Sequence, residues 1–277
     1  MFEKPRYTHA EIKDYSASIR NNIGGHISGL KKAWVLSNPR MPHLCTHSFR
    51  FDFEGHAREL RVGLLNHFNI PRAEIPKTRL VVLAGFGGHF SAELQRMGFQ
   101  VIHTDLMREY AKGPQTFPTL HSPAHEIPHI RNVGAYVSFE AVQIYSGFIG
   151  YITILKSLLQ TRHGLIDIGV QKAYFRNNLE QVFDIYKQVY GCNSEAVDSG
   201  PFRFYGLSLG HADRRILEKD LAIMLALNNS HRTNFSPESI AKELGIKPDD
   251  IHDAIHRYQA LSMKYNDHLY RTHGAVE

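Results

Sequence analysis

Leu80 to Ala84 is an unbroken apolar run, the pattern of a strand buried on both faces. Gly85-Phe-Gly-Gly88 follows, a turn that side chains do not obstruct. From His89 to Met97 the apolar positions switch to helical spacing, with Phe90, Leu94 and Met97 on one face. Gly98 is placed to cap that helix. Phe99 to His103 predicts a second strand, with Asp105 at its end. The unit is therefore strand, glycine turn, helix, strand.

The same periodicities organise the rest of the chain. Ile12, Tyr15, Ile19, Ile23, Ile27 and Leu30 predict a helix within residues 1–36, bent at Gly24-Gly25. A loop and a short alternating segment lead to a second helix, Phe53 to Phe68, before Pro71, and Pro76 closes the linker. After Asp105 a helix starts at Leu106 and is stopped by Gly113-Pro114. Strands are expected at Gly134–Phe139, Gly164–Val170 and Phe202–Leu209, and helices at Ile144–Leu159 and Ala173–Tyr190. Strands alternating with helices specify an α/β fold: a doubly wound, mostly parallel sheet with helices on both faces. An N-terminal helical cap (residues 1–77) and a small helical C-terminal region (residues 211–277) flank the sheet domain (residues 78–210). Within the tail, Asn234 to Tyr258 reads as a helix-turn-helix. Ser236 is its N-cap, Pro237 the first turn, Gly245 the turn, and Ile240, Leu244 and Ile255 its core.

Composition narrows the picture. The 277 residues are 43% hydrophobic, enough for one large domain plus an appendage. Two cysteines, Cys45 and Cys192, exclude a disulfide scaffold and suit a reduced, cytoplasmic setting. Met1-Phe-Glu-Lys-Pro-Arg has no apolar core of the signal-peptide kind. Val133 to Leu155 holds one charge, Glu140, but its Gln143, Ser146 and glycines favour a buried strand and helix over a membrane span. The net charge of +5 belongs to residues 1–80, which carry 13 Lys and Arg against 7 Asp and Glu. That excess favours an anionic partner, or is simply a solvated basic face.

The glycine unit suggests a ligand. Glycines let a ligand touch backbone, and the helix N-terminus offers N–H groups and a positive dipole end. A carboxylate ending the second strand accepts hydrogen bonds from ribose hydroxyls. The pattern predicts an adenosine-containing ligand; the alternative is an ordinary strand-to-helix turn. Phe90 stands where a dinucleotide site wants its third glycine, which disfavours NAD and an NAD-linked oxidoreductase. No Gly-Lys-Ser/Thr follows, so this is not a phosphate loop. No metal is expected. His43, Cys45 and His47 lack a fourth ligand, and prolines 118, 123 and 128 exclude a helix presenting His121, His125 and His129 together.

In order, Val81-Val-Leu-Ala-Gly-Phe-Gly-Gly88, Asp105, Ser122-Pro-Ala-His-Glu-Ile-Pro128, Tyr136-Val-Ser-Phe-Glu140 and Leu155 to Ile168 resemble the motifs of class I S-adenosylmethionine-dependent methyltransferases. The match spans about residues 78–209. The resemblance implies a Rossmann-like fold and S-adenosylmethionine as cofactor. It implies that Gly85, Phe86, Gly87 and Gly88 take the cofactor's amino-acid part and that Asp105 holds the ribose, with Leu106 beside the adenine. His125, Glu126 and Ile127 would border the adenine edge, and Ser138 and Phe139 would flank the methyl group. Glu140 and Tyr145 are the candidate catalytic groups, orienting or deprotonating the acceptor. The first motif is one residue short and has Ala84 where the family carries an acid. No Asp/Asn-Pro-Pro-aromatic tetrapeptide occupies residues 138–141, which disfavours a base-amine methyltransferase.

The sequence does not identify the acceptor; the basic N-terminal segment favours an anionic one, a small molecule or RNA. The alternative is a degenerate cofactor-binding regulatory protein that reads DNA through the tail, with Arg257 and nearby lysines on phosphates. Asp249, Asp250 and Asp253 on the second tail helix would repel a duplex, so a structural or homodimerising role is preferred.

Overall fold

The computed structural model describes residues 52–83, 88–105, 117–122, 124–139, 147–170, 176–229 and 236–273. The expected helices within 1–36 and from Leu106 lie outside the described residues.

Helix α1 (Ala57–Phe68) and a 3-10 segment (Arg72–Lys77) precede β1 (Arg79–Leu83). Then come α2 (His89–Arg96), β2 (Gln100–Asp105), β3 (Thr119–His121), a short 3-10 turn (Ala124–Glu126) and β4 (Val133–Phe139). The chain continues through α3 (Gly147–Gln160), β5 (Leu165–Val170), α4 (Arg176–Tyr190), β6 (Asn193–Ser199) and β7 (Phe202–Ser208). It ends in α5 (Arg214–Asn229), α6 (Pro237–Leu244) and α7 (Pro248–His273).

The seven strands form one sheet in the order β3-β2-β1-β4-β5-β7-β6. β3, β2, β1, β4 and β5 are parallel; β7 is antiparallel to both β5 and β6. This is the Rossmann-like α/β arrangement expected from the sequence. Chain order reverses between β1 and β4, and in open α/β sheets ligands bind outside the carboxyl ends of the strands at such a point.

Two strands were not legible in the hydrophobic pattern. β3 has three residues, too few for a period, and β6 (Asn-Ser-Glu-Ala-Val-Asp-Ser) is a polar strand that, among the described residues, ends the sheet beside β7. The helix expected from Phe53 begins at Ala57, after a turn in which the Asp52 carboxylate accepts from Gly55 N–H at 2.8 Å.

Each strand sends alternate side chains to opposite faces, and both faces are covered. Leu80, Val82, Val137, Ile166, Ile168, Phe202 and Phe204 face α1 and α2, where Leu60, Leu64, Phe68, Phe90 and Leu94 are buried. Val81, Leu83, Tyr136, Leu165 and Leu207 face α3 and α4, in a core that runs on to Ile223, Met224, Ile240, Ile251 and Ala254 of the last three helices. Helix α1 lies along the sheet against β6 and β7.

A buried polar chain fastens the tail. Tyr151 bonds Tyr190, whose hydroxyl donates to Asp220 at 2.6 Å. Arg257 of α7 donates two bonds to the same carboxylate, at 2.7 and 2.6 Å. The expected caps are present: Ser236 Oγ accepts from Ser239 N–H, and Gly245 ends α6 in the left-handed region. Ile240 is buried; Leu244 and Ile255 are partly buried. The second helix runs to 26 residues and packs on α4, α5 and α6. Arg257, which the DNA-reading alternative needs on phosphates, is thus committed to Asp220. Among the described residues no helix is long and apolar enough to cross a membrane.

Candidate functional site

The carboxyl ends of β1, β2, β3 and β4 share one edge of the sheet because these strands are parallel. Leu83 pairs with Ser138 and Asp105 with His121. Two buried hydrogen bonds fix the floor of this edge. Thr104 Oγ1 donates to the Val82 carbonyl at 2.8 Å, locking β2 to β1. Ser91 Oγ and His103 Nδ1 lie 2.8 Å apart and tie α2 to β2.

Gly88 opens α2 with φ of +77°, a conformation that side chains disfavour. A Cβ there would also stand 3.3 Å from the ring of Phe117, the residue that leads toward β3. The glycine takes a backbone conformation at the start of the helix that other residues disfavour. Asp105 ends β2 and is only 6% exposed.

The turn that follows β3, at Ala124–Glu126, packs on α3. Glu126 is half-buried and Ile127 fully buried. Lys156 of α3, itself buried, donates to the Ile127 carbonyl at 3.0 Å. Burial pulls the Lys156 pKa down to about 8, against the opposing pull of Glu126.

β4 places its last two residues on opposite faces. The Ser138 hydroxyl donates to Asp167 of β5, and both side chains are buried. Phe139 turns the other way into an aromatic group, its ring centroid 4.8 Å from that of Phe53 and 5.7 Å from that of Phe90. Phe90 therefore serves the packing between α2 and the sheet, where a dinucleotide site would have glycine.

Of the residues singled out from the sequence, the structure brings Gly88, Asp105, Glu126, Ile127, Ser138 and Phe139 to the strand ends or the turn beside them. Gly85, Phe86, Gly87, Leu106, Glu140 and Tyr145 lie outside the described residues, as does the side chain of His125. Sequence reasoning missed Phe53, Phe117, Lys156 and Asp167. Lys156 and Asp167 carried a signal, Lys156 as the one charge among Ile152, Ile154, Leu155, Leu158 and Leu159, and Asp167 as the one charge among Leu165, Ile166 and Ile168.

Among the described residues no three His, Cys, Asp or Glu side chains are grouped to hold a metal ion. A separate cavity of about 130 Å³, lined by His67, Arg162, His163 and Glu195, lies before β5, away from the strand ends described above. The groups at those ends are of the kind that an adenosine-bearing ligand takes: a carboxylate that accepts from vicinal hydroxyls, and the start of a helix for an anionic group.

No protein-family model matches the chain, and no curated protein matches it. Among solved structures it is similar to an S-adenosylmethionine-dependent methyltransferase of Clostridium acetobutylicum, at 12% identity and a TM-score of 0.38, over 58% of this chain and 64% of that one. The chain thus spans slightly less than two thirds of that protein. It is also similar to a protein of Pyrococcus horikoshii, at 13% identity and a TM-score of 0.40, over 56% of this chain and 90% of that one. A third is an O-methyltransferase of neocarzinostatin biosynthesis, solved with S-adenosylmethionine and 2-hydroxy-5-methyl naphthoic acid. There the identity is 11% and the TM-score 0.42, over 63% of this chain and 59% of that one. At this level of similarity the chain's own residues carry the functional reading.

Proposed function

We propose that the protein is an S-adenosylmethionine-dependent methyltransferase with an anionic acceptor, a small molecule or RNA. The observation that carries this reading is Asp105, a buried carboxylate at the carboxyl end of β2, next to a helix opened by a left-handed glycine where the strand order reverses. When bound, the cofactor supplies a methyl group activated on a sulfonium.

The chain's own residues bind and align. Gly88, with Gly85, Phe86 and Gly87, takes the amino-acid end by backbone contact. Asp105 accepts from the ribose hydroxyls, and Leu106 lies beside the adenine. His125, Glu126 and Ile127 border the adenine edge. Ser138 and Phe139 close the strand ends beside the reacting methyl. Bringing the acceptor into line and excluding water does most of the catalytic work in such a displacement. Glu140 and Tyr145 are the groups assigned to orient the acceptor and hold its proton. The basic excess in residues 1–80 supports an anionic acceptor.

Calorimetric titration with S-adenosylmethionine and with S-adenosylhomocysteine tests the reading. Saturable one-to-one binding is expected. No heat and no thermal stabilisation with either ligand overturns it.

A further inference from the structure

The cavity at the amino end of β5 has no part in the proposed methyl transfer, yet the chain gives up stability to shape it. The His67 side chain is only 3% exposed, and its Nδ1 is buried without a hydrogen-bond partner. Gly206, inside β7, makes room for that ring, because a Cβ there would collide with the imidazole. Glycine weakens a strand interior and marks a close approach. An unpaired imidazole is thus seated against about 130 Å³ of open space.

Four elements meet there. His67 comes from α1, Arg162 and His163 from the turn before β5, Ser208 from β7 and Glu195 from β6. His163 is held in place, its N–H on the Gly134 carbonyl at 2.8 Å and its ring 5.4 Å from that of Phe68. The Arg162 guanidinium is 73% exposed and stands 3.6 Å from Glu74 of the 3-10 segment, beyond hydrogen-bond distance. Glu195 Oε1 is likewise 3.6 Å from His67 Nδ1, and its side chain is 60% exposed. Two imidazoles, a guanidinium and a hydroxyl supply donors from several directions. Among the described residues that line the cavity, Glu195 is the one acid. Burial disfavours the charged forms of both imidazoles, a penalty that a bound anion offsets.

We infer that this cavity is a binding site for a small tetrahedral oxyanion, the size of sulfate or phosphate, whose binding is coupled to protonation of His67. The proton comes from solvent, and the imidazolium donates to an anion oxygen. Arg162, His163 and Ser208 supply further donors. Glu195 competes with the anion for the same imidazolium, and its exposed side chain swings aside when the anion enters. The site therefore fills as pH falls and empties as it rises.

Sulfate stays a dianion between about pH 5.5 and 7.5, so the pH dependence of its binding belongs to the protein. Calorimetric titration of the full chain at constant ionic strength should show saturable binding that tightens at least about tenfold from pH 7.5 to 5.5. His67→Phe keeps the ring and removes both nitrogens. It should weaken binding at pH 5.5 at least about tenfold, the scale of one charge-assisted hydrogen bond. Glu195→Gln removes the competitor and should tighten binding about threefold, where a merely structural Glu195 would leave sulfate affinity unchanged. If His67→Phe does not fold, Arg162→Gln, on an exposed side chain, decides, with a loss of about threefold or more expected. Glycerol 3-phosphate is titrated alongside: if it displaces sulfate, the oxyanion is carried by an organic phosphate, and if it does not, the ligand is a free ion; either supports the site. No saturable sulfate binding at pH 5.5 overturns the inference. Equal affinity and pH dependence in wild type and folded variants marks an adventitious ion only, and overturns it too. S-adenosylmethionine is absent from these titrations, so their outcome is independent of the methyltransferase reading.

Discussion

Asp105 is the residue on which the functional reading turns, and its placement separates binding from stability. The carboxylate ends a strand whose neighbours Thr104 and His103 are already held by Val82 and Ser91. Asp105→Ala should therefore leave the ligand-free melting temperature little changed. It should weaken S-adenosylmethionine binding at least about tenfold, since charge-assisted hydrogen bonds contribute roughly 1.5–3 kcal/mol each. Titration at one fixed salt concentration checks this, and equal affinity in wild type and variant rejects the ribose assignment. Gly88 behaves in the opposite way. At φ of +77°, with Phe117 close by, Gly88→Ala should cost about 1–2 kcal/mol of stability even without ligand. Chemical denaturation of the two proteins measures it. Asp105 and Gly88 were legible in the sequence because glycine and a strand-end acid sit at spacings set by local geometry. The partners of Asp167 and Lys156 were not, because Ser138 and Ile127 are brought to them from 29 residues away by strand pairing and helix docking.

At the scale of elements, the last helix shows what local signals reach. Ser236, Pro237 and Gly245 mark the ends of α6 as the sequence announced. What α7 packs against was decided by Asp220, fully buried on α5, which gathers Tyr190 of α4 and Arg257 of α7. Hydrogen bonding to Asp220 raises the Arg257 pKa, so the guanidinium stays charged throughout. Removing one partner of a buried ion pair leaves the other charge uncompensated, at a cost of about 3–5 kcal/mol. Arg257→Leu should lower stability by that amount in urea denaturation, and Asp220→Asn combined with Arg257→Leu should recover part of it. A loss below about 1 kcal/mol would mean that the pair behaves as a surface contact.

The pH dependence of stability belongs to the whole molecule. Burial lowers the Lys156 pKa from 10.5 to about 8, so between these values the unfolded chain binds more protons than the folded one. Stability conferred by this site therefore rises with pH across that window, by about 1 kcal/mol between pH 8 and 9. Cys192 acts with the opposite sign. Its burial pushes the thiol from 9.0 up to about 12, so stability is lost as pH climbs through 9 and above. The two effects separate when wild type and Lys156→Met are compared, because Cys192 is common to both. The wild type should gain on the variant as pH rises from 8 to 9, as read from urea midpoints at fixed temperature. A constant difference across that range would show that Lys156 is not desolvated as described. On the acid side, burial lowers the pKa values of His67 and His163 below 6.5. Stability should consequently fall as the unfolded chain takes up protons below that pH.

The sequence by itself determined the α/β class, Gly88 at the start of α2, the acid at the end of β2, the apolar strands β1, β4 and β5, and the caps of α6. All of these are written in periods of two and 3.6 residues, or in residues whose backbone preferences act locally. Only the tertiary structure decided the place of β6, whose polar edge has no hydrophobic period, and the inward commitment of Arg257. Tertiary structure also decided the contacts behind the strand ends: Phe53 and Phe90 against Phe139, Ser138 against Asp167, Lys156 against Ile127. These contacts join residues far apart along the chain. Their energies depend on burial and on the angle of a hydrogen bond, which exist only once the sheet has closed its strands and the helices have docked on it.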